Sequence, residues 1–483
     1  MDTRQAVTVL GLGLLGSNLV WGPAAHAGGL EVPDRGARAV GRGGAFVAKA
    51  DDGTAVDYNP GALSKQRGLH LTYDHDLLWS HATFTRAPSD IPSSIDPASY
   101  GVDPLAPVEN EQPLFPFGIF LAASHDFGLE DWTFAFSVYG PHASGAQKYS
   151  VKGGQRYMLT EIEALMAYIG PSVAWGTDTF GVGATLQYVV MPKMKYSLVI
   201  DGQPGGDLNP YVSSSDVEAT LDLHDYFAYS AILGAWWRPT PSLELGLSGR
   251  VLPVRLDATG EISLRNLPDQ TQFSDEQLDV PGSKASLEVV LPPTARFGAR
   301  WRYLDAGQRE VFDIEADFVY EAWHLTEAYE ADLEGTIILL ANEPVQDVTI
   351  EKRFRDTVSV RLGSTYAVVP DRLRISAGGY WERGASPENY TSLDFLSVNR
   401  IGLGGGVEVT LGDVDGTRVD LSMAYSHVIQ EDREVSESHG KVIQQRPVAQ
   451  CPAECDGYGG VPANAGTFES SFDVLAFGVT AHF

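Results

Sequence analysis

From Leu69 to Phe483, strand-like stretches are joined by connections that alternate in length, one short and the next long, without exception. The short ones are FGLED (127–131), GTD (176–178), RPTPS (238–242), LDAGQ (304–308), VPDR (369–372) and GDVDGT (412–417). The long ones span roughly 86–113, 140–157, 195–220, 256–285, 324–354, 384–396 and 433–469. A soluble sandwich has no reason to keep every long loop at one end. Bacterial outer-membrane barrels do, with short periplasmic turns, long external loops and an even number of strands. The stretches centre near residues 74, 120, 135, 168, 184, 231, 248, 296, 316, 362, 377, 404, 424 and 477. These positions predict an all-β fold, a 14-stranded antiparallel transmembrane barrel.

The individual strands fit that frame. Phe312, Ile314, Ala316, Phe318 and Tyr320 alternate with Asp313, Glu315 and Asp317, so period two sends the two sets to opposite faces. In the last strand Leu475, Phe477, Val479, Ala481 and Phe483 share a face, and the terminal aromatic is expected to present an assembly signal to the barrel-insertion machinery. Trp175, Trp236, Trp237, Trp301, Tyr303, Trp323 and Trp381 fall near strand ends, where interfacial girdles sit.

The amino terminus says where the chain goes. Arg4, an apolar run from Ala6 to Leu15 and Ala25-His26-Ala27 together predict a signal peptide over 1–27. The run is too short and too rich in glycine for a membrane-spanning helix of about 20 residues. A barrel of fourteen strands is wider than side chains alone can fill, so the lumen is either open or plugged. Residues 28–67, rich in glycine yet carrying Ala45, Phe46, Val47 and Ala48, are expected to form a plug, with the barrel over 68–483. Asn59-Pro60 predicts a fixed turn within it. Phe46 is expected against the lumen wall or the ligand.

GRGGAFVAKADDGTAVDYNPGALS (41–64) resembles the N-terminal hatch of the outer-membrane long-chain fatty-acid and hydrocarbon transporters of the FadL/TodX type. Asp51-Asp52 and Asn59-Pro60 match that family's pattern, while Gly61 stands where the family usually has alanine, implying a looser turn. VYGPHASG (138–145), RYMLTEIEALMAYIGPSVAW (156–175), LPPTARFGARWRY (291–303) and RVDLSMAYSHV (418–428) are similar to further family segments in the same order. The resemblance implies passive uptake of a hydrophobic small molecule without a cofactor. The ligand is caught by outer loops, passed through an apolar lumen and released as the hatch moves, often through a gap in the wall at the third strand. On that basis 195–220 and 256–285 are expected to form the capture surface, with Leu198, Ile200, Tyr211 and Phe273 among their apolar residues.

The strand alternation makes one further expectation. Arg296, Arg300 and Arg302 point inward on one strand, Asp313, Glu315 and Asp317 on the next, and Arg361, Arg372 and Arg374 on the following two. They predict a charged belt near the periplasmic end that braces the hatch, with Arg300 close to Asp313 or Glu315. Charge reversal tests it: Arg300→Glu should loosen the hatch and Asp313→Arg should partly restore it.

Acids outnumber Lys plus Arg by 63 to 34, a formal charge of −29, which argues against nucleic acid as a partner. The expected partners are the ligand, outer-membrane lipids and lipopolysaccharide, with the chain acting as a monomer. Cys451 and Cys455 are expected to close a small disulfide in an oxidising compartment, and two ligands alone do not make a zinc site. The rivals are a general diffusion porin and an outer-membrane lipid hydrolase built on YDHDLLWSH (73–81). A porin needs no plug. In the hydrolase motif period two puts His75 and His81 on the face opposite Asp74, Asp76 and Ser80, so no base meets its partners, and no enzyme activity is expected.

Overall fold

A computed structural model describes residues 34–88, 101–140, 146–201, 215–340, 342–414, 417–444 and 462–483. The expected signal peptide, Tyr211, Cys451 and Cys455 lie outside them.

Fourteen antiparallel strands form the wall, one at each expected position. They are β1 (His70–Arg86), β2 (Leu114–His125), β3 (Trp132–Tyr139), β4 (Glu161–Gly176), β5 (Phe180–Asp201), β6 (Asp216–Thr240) and β7 (Leu243–Leu252). The second half is β8 (Thr294–Leu304), β9 (Glu310–Glu321), β10 (Thr357–Val369), β11 (Leu373–Glu382), β12 (Arg400–Val414), β13 (Thr417–Gln430) and β14 (Gly466–His482). Each pairs with the next, and β14 returns to β1 from His70↔His482 to Arg86↔Gly466. Closure leaves no open edge, which is what a spanning sheet requires in hydrocarbon.

The two faces separate as the alternation predicts. Phe297, Phe318, Leu362, Leu403 and Phe477 are exposed on the outside, whereas Asp313, Glu315 and Asp317 are buried in the lumen. Exposed apolar side chains of this kind occur on all fourteen strands, the composition of a surface solvated by lipid. Trp237, Trp301, Tyr303 and Trp381 belong to that outer surface. Trp236 and Trp323 do not. Trp236 turns inward, and its indole N–H donates to Ser64 Oγ at 2.9 Å, while Trp323 packs edge-on to Phe354 above the strands. Adjacent tryptophans on one strand must point to opposite sides, so Trp236-Trp237 gives one to the girdle.

Each of the two expected capture loops begins and ends in sheet. β5 and β6 continue beyond the barrel, pairing out to Asp201↔Asp216. Val254–Asn266 pairs with the outer part of β6 (Thr259↔His224 to Asn266↔Val217) and then with Lys284–Leu291. Ala328–Glu334 and Val348–Glu351 add the next two strands. Pro253 separates the first of these segments from β7, and Pro292-Pro293 separates the second from β8. Proline supplies no ladder N–H, so the chain leaves the wall at these points and joins the outer sheet. Leu198 and Ile200 are therefore strand residues of this sheet, which is buried on both faces at this point, as Ser197 and Val199 show.

Candidate functional site

Residues 34–67 lie inside the barrel, almost entirely buried, in two single-turn helices (Ala37–Val40 and Ala55–Tyr58) and a 3₁₀ turn (Pro60–Lys65). So short a segment cannot satisfy its own backbone, and the wall supplies the acceptors. On β1, Asp76 and Asp74 accept the N–H groups of Gly36 and Ala37 at 3.2 and 3.0 Å. On β9, Asp317 Oδ2 accepts Phe46 N and Val47 N at 2.8 and 3.0 Å. Glu315 accepts Ala48 N at 2.6 Å and Lys49 N at 3.3 Å. The acid row of β9 thus reads backbone, and the two acids of the hydrolase motif are occupied in the same way. His75 bonds Pro116 O and His81 faces Asp473 on the outer surface, so neither meets Asp74 or Asp76.

Hatch cations complete the lock. Arg42 donates to Asp313 at 2.5 Å and Glu315 at 3.1 Å, and Lys49 Nζ to Asp313 at 2.7 Å. Arg38 joins Asp51 (2.8 Å), Asp52 (3.1 Å) and Glu408 of β12 (2.5 Å). Arg300 does bind Asp313, at 2.8 Å, although Glu315 is its register partner. Arg300 also holds Glu244 at 2.6 Å and Glu310. Arg302 holds Glu310 at 2.7 Å, and Arg296 donates to Asp57 O at 2.9 Å. Arg361 pairs with Asp34 of the hatch and with Glu382 at 3.1 Å, away from the β9 row. Arg374 reaches Glu408, but Arg372 lies exposed in the turn and is no part of the belt.

Apart from Arg372 these charges are bonded to one another, and Arg42, Arg300, Asp313, Glu315 and Arg361 are buried as well. Alternation located the wall members, but the hatch partners Arg42, Lys49 and Asp34 and the wall acid Glu244 were not expected. Glu244, Gly246 and Ser248 form an inward period-two set that could have revealed the last of these.

Asn59 bridges hatch and wall, its Nδ2 donating to Val47 O and to Ala235 O of β6, each at 2.9 Å. Pro60 opens the following turn. Gly61 does not loosen that turn. A Cβ there would stand 2.7 Å from Gly234 O and 2.9 Å from Ala235 Cα, so the hatch is pressed against β6. Gly363 of β10 has the same role from the wall side, since a Cβ would meet Arg42 O at 2.5 Å. Phe46 packs edge-on against Tyr58 at 5.5 Å and is fully buried.

Above the hatch the lumen holds a large apolar cluster. This buried cluster includes Phe46 and Tyr58 of the hatch, Tyr139 and Met191 of the wall, and Ala331 and Leu333 of the outer sheet. At its outer end lies an apolar slot of about 470 Å³, its mouth included, lined by Tyr196, Leu198, Ile200, Leu221, Ala331 and Ile350 among others. Leu198 and Ile200 belong to this slot. Phe273 does not line it but belongs to the same buried cluster as Leu198 and Ile200. Among the described residues no group of His, Cys, Asp and Glu is arranged to hold a metal ion.

The family model for outer membrane protein transport proteins (OMPP1/FadL/TodX) matches residues 19–459. No curated protein matches the chain significantly. Among solved structures, a Pseudomonas aeruginosa FadL homologue superposes with a TM-score of 0.71 at 15% identity, covering 94% of this chain and 100% of its own. The P. putida toluene transporter TodX gives 0.61 at 12% identity over 94% and 99%. The Ralstonia pickettii toluene transporter TbuX gives 0.59 at 13% over 92% and 98%. At such identities the likeness is one of fold.

Proposed function

The chain belongs to the outer membrane protein transport family (OMPP1/FadL/TodX), and from that premise we propose the route by which it works. It is a bacterial outer-membrane transporter of hydrophobic small molecules. Long-chain fatty acids or hydrocarbons enter the outer slot, move into the apolar lumen and pass when the hatch shifts. Each CH₂ leaving water contributes roughly 0.8 kcal/mol, so capture needs no energy source. Residues 1–27 act as the export signal, 28–67 as the hatch and 68–483 as the barrel. Phe483 serves barrel insertion, and the outer apolar belt is solvated by membrane lipid around a monomer.

The observation that carries this reading is the continuous buried apolar cluster from slot to hatch. A diffusion porin would present water there. Release through the wall at β3 is supported by the length of that strand. β3 has 8 residues, so its pairing with β4 stops at Tyr139↔Tyr168 and resumes only at Ala146↔Glu163, which leaves a break in the ladder between them.

Deleting residues 28–62 tests the gate. The expected result is a rise in ion conductance across planar bilayers. Unchanged conductance would mean the segment does not plug the barrel.

A further inference from the structure

Behind Tyr196, at the inner end of the slot, lies a buried polar cluster that hydrocarbon binding leaves unused. Three strand faces run into it together. Tyr196 continues the face of Leu198 and Ile200, Tyr329 that of Ala331, and Lys352 that of Ile350. β5 climbs outward from Phe180, so Tyr196 marks the inner end of the slot, at the barrel rim. There Lys352 Nζ donates to Asp394 Oδ2, which also accepts from Tyr196 Oη at 3.3 Å. The ammonium lies 5.2 Å from the centroid of the Tyr329 ring, and Tyr329 packs edge-on to Phe395.

All four polar side chains are at least nine-tenths buried. Yet Asp394 Oδ1 and Tyr329 Oη have no hydrogen-bond partner among the described residues. A buried acceptor and a buried hydroxyl left unbonded are costly, and groups of that kind are completed by what binds beside them.

Building on the transport reading, we infer that the inner end of the slot is a headgroup site for an uncharged amphiphile bearing a hydroxyl, such as a long-chain alcohol. A hydroxyl can both donate to Asp394 Oδ1 and accept from Tyr329 Oη, while its chain lies along Ala331, Leu198 and Ile200. An alkane leaves both atoms unbonded. A carboxylate can accept from Lys352, but it adds a negative charge to a buried pair that is already neutral and sets it beside the free oxygen of Asp394.

The test uses the full-length protein in lipid nanodiscs and displacement of the fluorescent probe N-phenyl-1-naphthylamine by 1-dodecanol, dodecane and dodecanoate. Ratios between variant and wild type cancel partition of each ligand into the lipid. Tyr329→Phe should weaken dodecanol binding about tenfold and leave dodecane unchanged. The double variant Lys352→Met/Asp394→Leu, which replaces the ion pair with apolar groups, should do the same. If dodecane displaces the probe and both variants bind dodecanol as the wild type does, the headgroup site is wrong and the transport reading stands. Tighter wild-type binding of dodecanoate than of dodecanol overturns it equally. If none of the three displaces the probe, the site and the hydrophobic-cargo reading fall together.

Discussion

Glu315 and Asp317 stand two residues apart on β9 and both hold hatch backbone, yet their amide replacements should behave differently. Glu315 uses both oxygens. Oε1 accepts Ala48 N at 2.6 Å, and Oε2 accepts Arg42 Nη2 at 3.1 Å. In Glu315→Gln one oxygen remains, so an NH₂ group must face either the amide or the guanidinium. Hydrogen bonds to charged groups contribute about 1.5–3 kcal/mol each. Arg42 keeps Asp313 and Thr365, each at 2.5 Å, which limits the loss to roughly 2–3 kcal/mol. That loss falls on hatch docking, because the β9 backbone ladder does not use the side chain. The undocked fraction should rise roughly 30- to 150-fold. Asp317 uses Oδ2 alone for Phe46 N and Val47 N, and Oδ1 has no partner among the described residues. Asp317→Asn therefore retains both bonds. Hydrogen exchange read by mass spectrometry over residues 42–50 distinguishes the two. Protection should collapse in Glu315→Gln, persist in Asp317→Asn and stay intact in the β9 peptides of both. Equal behaviour of the two variants, or loss of protection along β9, would refute the assignment of these carboxylates to the hatch.

Arg300→Glu should raise leak conductance, but adding Asp313→Arg should restore little of it, because Asp313 also serves Arg42 and Lys49 and the swap sets three cations together; substantial rescue in planar bilayers would contradict this. Gly363→Val should undock the hatch without unfolding the barrel, since its Cβ meets Arg42 O at 2.5 Å, and trypsin cleavage within 34–67 should become faster in detergent-solubilised protein. Ile350→Asp should cut uptake of a radiolabelled hydrophobic substrate severalfold while heat-modifiable gel mobility, the mark of a folded barrel, is kept. Asp126, in the turn between β2 and β3, accepts the N–H groups of Gly128 and Gly68, which hold its carboxyl below the usual range. A depressed value contributes stability that is complete above the unfolded pKa of about 3.9 and lost as pH falls through the folded one. Exchange protection of Gly68 should therefore be flat from pH 7 to about 4.5 and weaken only in stronger acid, relative to an Asp126→Asn control.

The sequence by itself determined the barrel. Period-two alternation and the segregation of short and long connections are local properties, and the membrane makes them decisive, because a sheet surrounded by lipid must close and must turn its apolar face outward. They located all fourteen strands, and with Asn59-Pro60 and the glycine-rich prelude they marked the hatch. The same alternation placed Arg300 and Asp313 on facing strands. What it could not give was the pairing across the lumen. Arg42 and Asp313 are separated by 271 residues, and no periodicity in the hatch tells which wall carboxylate its backbone will meet. Nor could it show that Gly61 marks tight contact rather than looseness, since that depends on the opposing Gly234. The outer sheet misled for a related reason. Leu198 and Ile200 sit next to a polar, glycine-rich stretch that reads as loop, and only packing across the slot from outer-sheet residues far along the chain, Ala331 and Ile350 among them, covers their side chains. Tyr329, Lys352 and Asp394 have no motif at all; they meet because the inner ends of two outer-sheet strands and the turn at 394–395 come together at the rim. Local pattern fixes which way a side chain points, and only the closed structure decides what it finds there.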